Sequence, residues 1–289
     1  MQYHSPSTFE DAAKLALAAK GITRFLAGGT DVLVQLRSDI ITPDDIIDIK
    51  NIPGVRDIIC NDDGSWTIGA ATPGAEMREH VGLGLDWPGV VEAMDLIGST
   101  QVQGRATLVG NLCNGSPAAD SVPAMVAAGA ELTVTNVDGT RRVPVKDIPA
   151  GPGRTHLAQG DVVSAVHIPA RGERGGDAYL RFIPRTEMDI AVVGCAVNFT
   201  LDDSGNIIHA SMALGAVAPT VLLLDDAADI LIGSRLDEAT LDKLAEAASA
   251  ACNPISDKRG TVEFRTEVAG VLAKRTAKIA YARALGATK

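Results

Sequence analysis

Two short segments combine glycines with small hydrogen-bonding side chains. Phe25–Asp31 reads FLAGGTD, and Val109–Asp120 reads VGNLCNGSPAAD. Each reads as an apolar, strand-like approach followed by glycines and small polar groups where a helix begins. Glycine leaves main-chain N–H groups bare, so such a turn can close on a phosphate without any arginine or lysine. Two such turns in one chain point to a ligand with two phosphates gripped between them.

The side chains in these segments are donors and acceptors rather than nucleophiles. The hydroxyls of Thr30 and Thr107 can donate, and Asn111 can both donate and accept. Asp120 is either an acceptor for ribose or ribityl hydroxyls or an acidic residue favoured by a helix dipole. Cys113 lies inside the second turn and can line the ligand, whereas Cys60, Cys195 and Cys252 read as small buried hydrophobes. No C-x2-C or H-x-x-x-H spacing occurs, so no iron–sulfur cluster or zinc is expected in this chain. No Ser/His/Asp or Cys/His set is apparent.

Composition sets the outer bounds. The chain has 289 residues, 46% apolar and 21% charged, an ordinary globular balance. A formal net charge of −10 argues against general nucleic-acid binding, which needs a basic surface. No apolar run approaches the roughly 18 residues of a membrane helix. MQYHSPSTFEDAAK lacks a basic stretch followed by an apolar one, so the expected location is the cytoplasm.

The helices and strands around these turns fall into three units. In 1–53, a Ser7–Glu10 capping box opens a helix; a strand (ITRFLA), a short helix opened by Asp31, and a second strand (DIIDIK) follow. In 54–173, two hairpins turn at Asn61–Gly64 and at Val137–Gly139. Between them Thr72-Pro73, Trp87-Pro88 and Ser116-Pro117 each read as a cap and first turn of a helix. Pro149–Thr155 reads as a loop, and DVVSAVHI as a strand. In 174–289, strands near Tyr179–Ile183, Ala191–Leu201 and Ile207–Gly215 precede helices over Asp237–Ala251 and Val262–Leu285. Strands followed by helices imply a layered α+β unit with an open sheet.

With the units laid out, the chain resembles the FAD-binding (medium) subunit of molybdenum hydroxylases, the group containing xanthine dehydrogenase and aerobic carbon monoxide dehydrogenase. Four segments carry the resemblance. Ala27-Gly28-Gly29-Thr30-Asp31 is similar to the family's first FAD-pyrophosphate turn. Ile97–Gln101, then Thr107, Gly110, Asn111 and Ser116-Pro117-Ala118-Ala119-Asp120, is similar to the second, T-I-G-G-N-L-x-N-x-S-P-x-x-D. Arg185–Val193 resembles the segment that faces the flavin ring, and Arg259-Gly260 with Val262-Glu263-Phe264-Arg265 resembles R-G-x-x-E-[FY]-R. Two departures stand out. Val109 replaces the first of two family glycines, so its backbone is expected to be extended, with Gly110 making the close approach. The cysteine-rich insertion of some aromatic-thioester reductases is missing.

The resemblance implies a vanillyl-alcohol-oxidase-like (PCMH-type) two-part FAD-binding fold, α+β, followed by a C-terminal α+β domain with an open antiparallel sheet and helices. It implies FAD contacts at Leu26, Ala27, Gly28, Gly29, Thr30 and Asp31, and at Ile97, Gln101, Thr107, Gly110, Asn111, Cys113, Ser116 and Asp120. Asp189 is then either a ring neighbour or an exposed strand start. Arg185 either offsets charge on the flavin or is a solvated loop arginine. Glu263 and Arg265 are expected to pair and dock the last helix.

Partner chains would hold a molybdenum–pterin cofactor and [2Fe-2S] clusters, in a heterohexamer with two copies each of the medium, iron–sulfur small and molybdenum large subunits. Electrons would leave to an external acceptor such as NAD, a quinone or dioxygen. The basic segment Lys274–Lys289 either docks an acidic partner or is a solvated face. A stand-alone flavin reductase of the same fold and a non-redox nucleotide-binding assembly module are the alternatives.

Overall fold

The chain opens with β1 (Gln2–His4), α1 (Phe9–Ala18), β2 (Thr23–Leu26), α2 (Val32–Arg37) and β3 (Asp45–Asp48) in the computed structural model, which describes residues 1–287. Thr288 and Lys289, the end of the basic terminal segment, lie outside the described residues. The three strands pair in parallel in the order β1-β3-β2, and α1 and α2 are part of the crossovers that parallel neighbours require. β1 was not expected. It is too short to show an alternating pattern and is specified by its pairing with Asp45–Ile47. The cap of α1 is Thr8, whose hydroxyl accepts from the Asp11 N–H at 3.1 Å, not the Ser7–Glu10 box. That frame turns Ala12, Ala13 and Ala16 into the core.

Next come β4 (Ile58–Cys60) and β5 (Trp66–Gly69), then six short helices: α3 (Gly74–Glu79), α4 (Val81–Asp86), α5 (Pro88–Asp95), α6 (Thr100–Gln103), α7 (Leu108–Cys113) and α8 (Ser121–Ala127). β6 (Glu131–Asn136), β7 (Gly139–Pro144), β8 (Pro149–Gly151), β9 (Arg154–Thr155) and β10 (Val162–Ile168) follow. The antiparallel sheet runs β4-β5-β10-β6-β7, and both expected hairpins form, with left-handed Gly64 at the first turn.

Several local expectations are corrected here. The second glycine segment is approached through α5 and α6 rather than a strand. Pro73, not Thr72, occupies the cap position of α3, and the buried Thr72 hydroxyl has no hydrogen-bond partner. Pro149–Thr155 is a small hairpin rather than a loop.

The rest comprises β11 (Gly175–Phe182), β12 (Val193–Leu201), β13 (Ile207–Gly215), β14 (Leu222–Leu223), α9 (Asp225–Leu231), α10 (Glu238–Ala251) and α11 (Val262–Ala284). β14 and α9 were not expected. In the antiparallel sheet β11-β12-β13-β14, the central strand β12 is buried on both faces. Along β12, Val193, Cys195, Val197, Phe199 and Leu201 pack under α9–α11, while Ala196 points into the core shared with the preceding helices. Ala269, Ala273, Ala277, Ala280 and Ala284 make one small-residue stripe on α11. The stripe lets α11 lie so close that a side chain at Gly176 would strike the Ala280 carbonyl.

Ionic contacts tie this sheet to the middle helices. The Arg171 guanidinium sits 3.6 Å from the Trp87 ring centroid, donates to Asn198 Oδ1 at 2.8 Å and pairs with Asp177 at 2.8 Å. Burial pushes the Asp177 carboxyl up to about 6. Arg283 pairs with Glu92. Among the described residues, no helix is long and apolar enough to cross a membrane.

Candidate functional site

The first bend leaves β2 at Leu26 and Ala27, both half-buried, and turns at Gly28 and Gly29. Gly28 lies directly on the main chain that precedes α7. A Cβ at Gly28 would stand 2.6 Å from the carbonyl carbon of Arg105 and 3.2 Å from the Ala106 nitrogen. Only glycine lets the two bends touch. Gly29 is left-handed, with φ of 78°, and its carbonyl accepts from the Leu33 N–H at 3.1 Å. Thr30 follows, and Asp31 takes the cap position of α2 without a side-chain cap bond.

The second bend is helical. Thr107 caps α7, its hydroxyl accepting from the Gly110 N–H at 2.9 Å. Val109 is therefore helical and buried, not extended, and a β-branched residue is unstrained there. A Cβ on Gly110 would meet only the Thr107 hydroxyl within 4 Å, so that face is otherwise open. At the far end of α7, Asn114 Oδ1 accepts from Gln35 of α2 at 3.3 Å. The two bends thus meet at Gly28 and again at Gln35.

Their donors are unspent. Among the described residues, the N–H groups of Thr30, Asp31, Val32, Leu108 and Val109 donate to no other group of the chain. Unpaired donors at two converging helix starts, with room for an incoming group at Gly110, fit a diphosphate.

Asn111 is more constrained than expected. Its Oδ1 accepts from both the N–H and the hydroxyl of Ser121, at 3.3 and 2.7 Å, which leaves its NH2 to donate. Ser116 accepts from the Ala118 N–H at 3.2 Å in a local turn, and the helix expected from Ser116 begins only at Ser121. Asp120, in the cap position of α8, makes no cap bond. Its carboxylate accepts from the Tyr179 hydroxyl at 2.8 Å and from Arg181 at 2.6 Å, both on β11. Burial pushes this carboxyl up to about 6, with Arg181 and Tyr179 pulling it down. Ile97 is half-buried, Gln101 is exposed on α6, and Cys113 is exposed at the end of α7.

The 183–191 loop rests against the second segment. Met188, at φ of 52°, donates its N–H to the Gly98 carbonyl at 3.2 Å. Asp189 accepts from Arg185 at 3.1 Å and from the Ile190 N–H at 2.9 Å, with Arg259 3.8 Å away. The Arg185 bond, aided by the Ile190 N–H, holds its carboxyl down to about 2. Arg185 is thus engaged with Asp189 rather than a free cation.

The expected Glu263–Arg265 pair does not form. Buried Arg265 donates to the Val192 and Ala216 carbonyls at 2.8 and 3.2 Å and to Asp257 at 2.6 Å. The sequence reading did not find Arg105, Ser121, Tyr179 or Arg181. Arg105 contributes a carbonyl, which no residue type signals. Ser121, beside Asp120 in S-P-x-x-D-S, was the one visible hint.

Two family models match successive parts of the chain. Residues 1–171 match the family model described as the FAD binding domain in molybdopterin dehydrogenase, and residues 178–280 match the CO dehydrogenase flavoprotein C-terminal domain. The chain is 33% identical over 285 residues to the putative xanthine dehydrogenase FAD-binding subunit of Escherichia coli strain K12, covering 98% of this chain and 97% of that one. It is 32% identical over 287 residues to the carbon monoxide dehydrogenase medium chain of Afipia carboxidovorans, with the same coverage. A chain of carbon monoxide dehydrogenase from Hydrogenophaga pseudoflava superposes with a TM-score of 0.92 at 30% identity, over 98% of both chains.

Proposed function

We propose, since the chain belongs to the family of FAD-binding medium subunits of xanthine dehydrogenase and carbon monoxide dehydrogenase, that its two bends hold the diphosphate of FAD. The chain is a flavoprotein subunit of a molybdenum-hydroxylase-type oxidoreductase. The observation that carries the assignment of the site is the contact of Gly28 with the Arg105 carbonyl, which brings unpaired amides from both bends together.

Within Leu26–Asp31 and Thr107–Asn111, the N–H groups of Thr30, Asp31, Leu108 and Val109 and the hydroxyls of Thr30 and Thr107 are donors. Cys113 and Ser116 follow within the second segment, and Ile97 and Gln101 lie in the stretch of chain before it. Asp120, with two of its lone pairs taken by Tyr179 and Arg181, keeps others for a cofactor hydroxyl. When bound, FAD supplies an electron store that accepts single electrons from iron–sulfur clusters of a partner chain and yields pairs to an external acceptor. This chain's residues bind and orient it. No residue of the chain is assigned a nucleophilic or acid–base step.

The reading extends to a cytoplasmic complex of two copies each of this chain, an iron–sulfur small subunit and a molybdenum large subunit, with the substrate pocket in the last. Co-expression of the three chains and native mass spectrometry test that stoichiometry. The site is tested by the visible absorption of the purified chain. Wild type shows the bands of oxidised flavin, and Gly110→Val, which fills the open face, loses them while remaining folded. A Gly110→Val chain with full flavin content overturns the assignment.

A further inference from the structure

Asn111 and Ser121 lie on successive helices, α7 and α8, and their side chains meet across the turn between them. Ser121 is fully buried. Its main-chain N–H is one of the orphan donors in the first turn of α8, and it reaches Asn111 Oδ1 at 3.3 Å. Its hydroxyl reaches the same oxygen at 2.7 Å. A main-chain N–H can only donate, so the amide atom facing it must be oxygen, which removes the usual two-fold ambiguity of an amide. Both lone pairs of that oxygen are then taken.

The NH2 is left with two protons to give, and among the described residues it has no acceptor. Ser121 is itself held in place. Its neighbour Asp120 is clamped by Tyr179 and Arg181 of β11, so the start of α8 is anchored to the C-terminal sheet.

We propose that Ser121 is a positioning residue for the cofactor: by engaging Oδ1 it locks the Asn111 amide with its donor side outward. The site then offers an anion two N–H groups and no carbonyl. A flipped amide would present a partial negative charge to a diphosphate. The proposal rests on the reading of Asn111 as a cofactor contact, and it gives Ser121 and its anchor on β11 a part in cofactor affinity that their own burial hides.

The test is a double-mutant cycle on the full chain, stripped of flavin and titrated with FAD by quenching of flavin fluorescence. Thermal unfolding of the flavin-free protein runs alongside. Ser121→Ala removes the 2.7 Å hydroxyl bond and keeps the longer main-chain one, so the amide is loosened rather than flipped and the Kd for FAD should rise about fivefold, the weight of one net hydrogen bond. In an Asn111→Ala background the same change should alter Kd less than about twofold, because the amide it orients is gone. Asn111→Asp keeps the acceptor for Ser121 but has no donor, so it should bind FAD at least as poorly as Asn111→Ala.

Equal effects of Ser121→Ala in both backgrounds, or none in either, overturn the proposal and leave Asn111 as a contact. Unchanged Kd in Asn111→Ala overturns the cofactor reading of Asn111 itself. Normal binding by Asn111→Asp overturns the donor role.

Discussion

Replacing Gly28 by alanine tests the meeting of the two bends directly. The new Cβ would stand 2.6 Å from the carbonyl carbon of Arg105. Carbon atoms in contact settle about 3.5–4.0 Å apart and the Arg105 carbonyl oxygen lies closer still, so the bends must separate by more than about 1 Å. The obstacle is main chain and cannot swivel. The Ala106 N–H donates to Val102 at 2.8 Å, and its carbonyl accepts from Gly74 at 2.9 Å. Overpacking costs about 1–3 kcal/mol, and a backbone obstacle places this change at the upper end. At about 2–4 °C per kcal/mol, the flavin-free melting temperature should fall by roughly 5–10 °C.

Cofactor binding adds a second readout. At a hundredfold excess over Kd, FAD stabilises the wild type by about 2.7 kcal/mol, and a hundredfold loss of affinity reduces that to about 0.4 kcal/mol. Scanning calorimetry with and without FAD reads both effects. Gly29→Ala is the comparison. Its Cβ meets the ends of the Leu33 and Leu26 side chains at 2.9 and 3.0 Å, which can rotate away, so the left-handed backbone sets its cost, about 1–2 kcal/mol. A Gly28→Ala chain that keeps both its melting temperature and its FAD-induced rise refutes the contact.

Three further outcomes are expected. The Asp120 carboxyl, raised by burial from 3.8 to about 6, binds a proton more readily in the folded chain. Its contribution to stability is therefore full below 3.8 and lost as pH rises through 6; Asp120→Asn should flatten stability against pH between 4 and 6, and equal slopes would refute this. Arg265→Ala strands the Val192 and Ala216 carbonyls and should cost about 2–4 kcal/mol in urea unfolding; a loss below 1 kcal/mol counts against their dependence on it. His167, between the hydroxyls of Thr67 and Thr133 at 2.9 and 2.6 Å, is held down to about 4 by burial and then by Arg142. Stability from its neutral ring is present above 6.5 and lost as pH falls towards 4, and ring proton resonances titrating near 6.5 would contradict it.

The sequence made the local chemistry readable and hid the long-range pairings. Gly28, Gly29 and Gly110 could be singled out because a missing side chain is a signal in itself. The hairpins at Gly64 and Gly139 announced themselves through turn residues. Leu108–Cys113 was harder, because a valine and a glycine in one six-residue helix defeat propensity, and the Thr107 cap has Gly110, not glutamate, three residues on. Asp120 could not be assigned from its neighbours. Its partners arrive about sixty residues later, on a strand whose pattern shows only that it is buried. Arg265 was misassigned for the same reason: its nearest acidic neighbour was visible, and the carbonyls of Val192 and Ala216 were not.

The C-terminal sheet serves two masters, with Ala196 of β12 in one core and its neighbours Cys195 and Val197 in the other. A fragment ending at Arg171 would keep that guanidinium but lose Asn198 and Asp177. A fragment starting near Ala178 would begin with Tyr179 and Arg181 bereft of their carboxylate. The segments matched by separate family models therefore share buried polar contacts across their boundary. A chimaera assembled from two relatives must carry Asp120, Tyr179 and Arg181 as one inherited set.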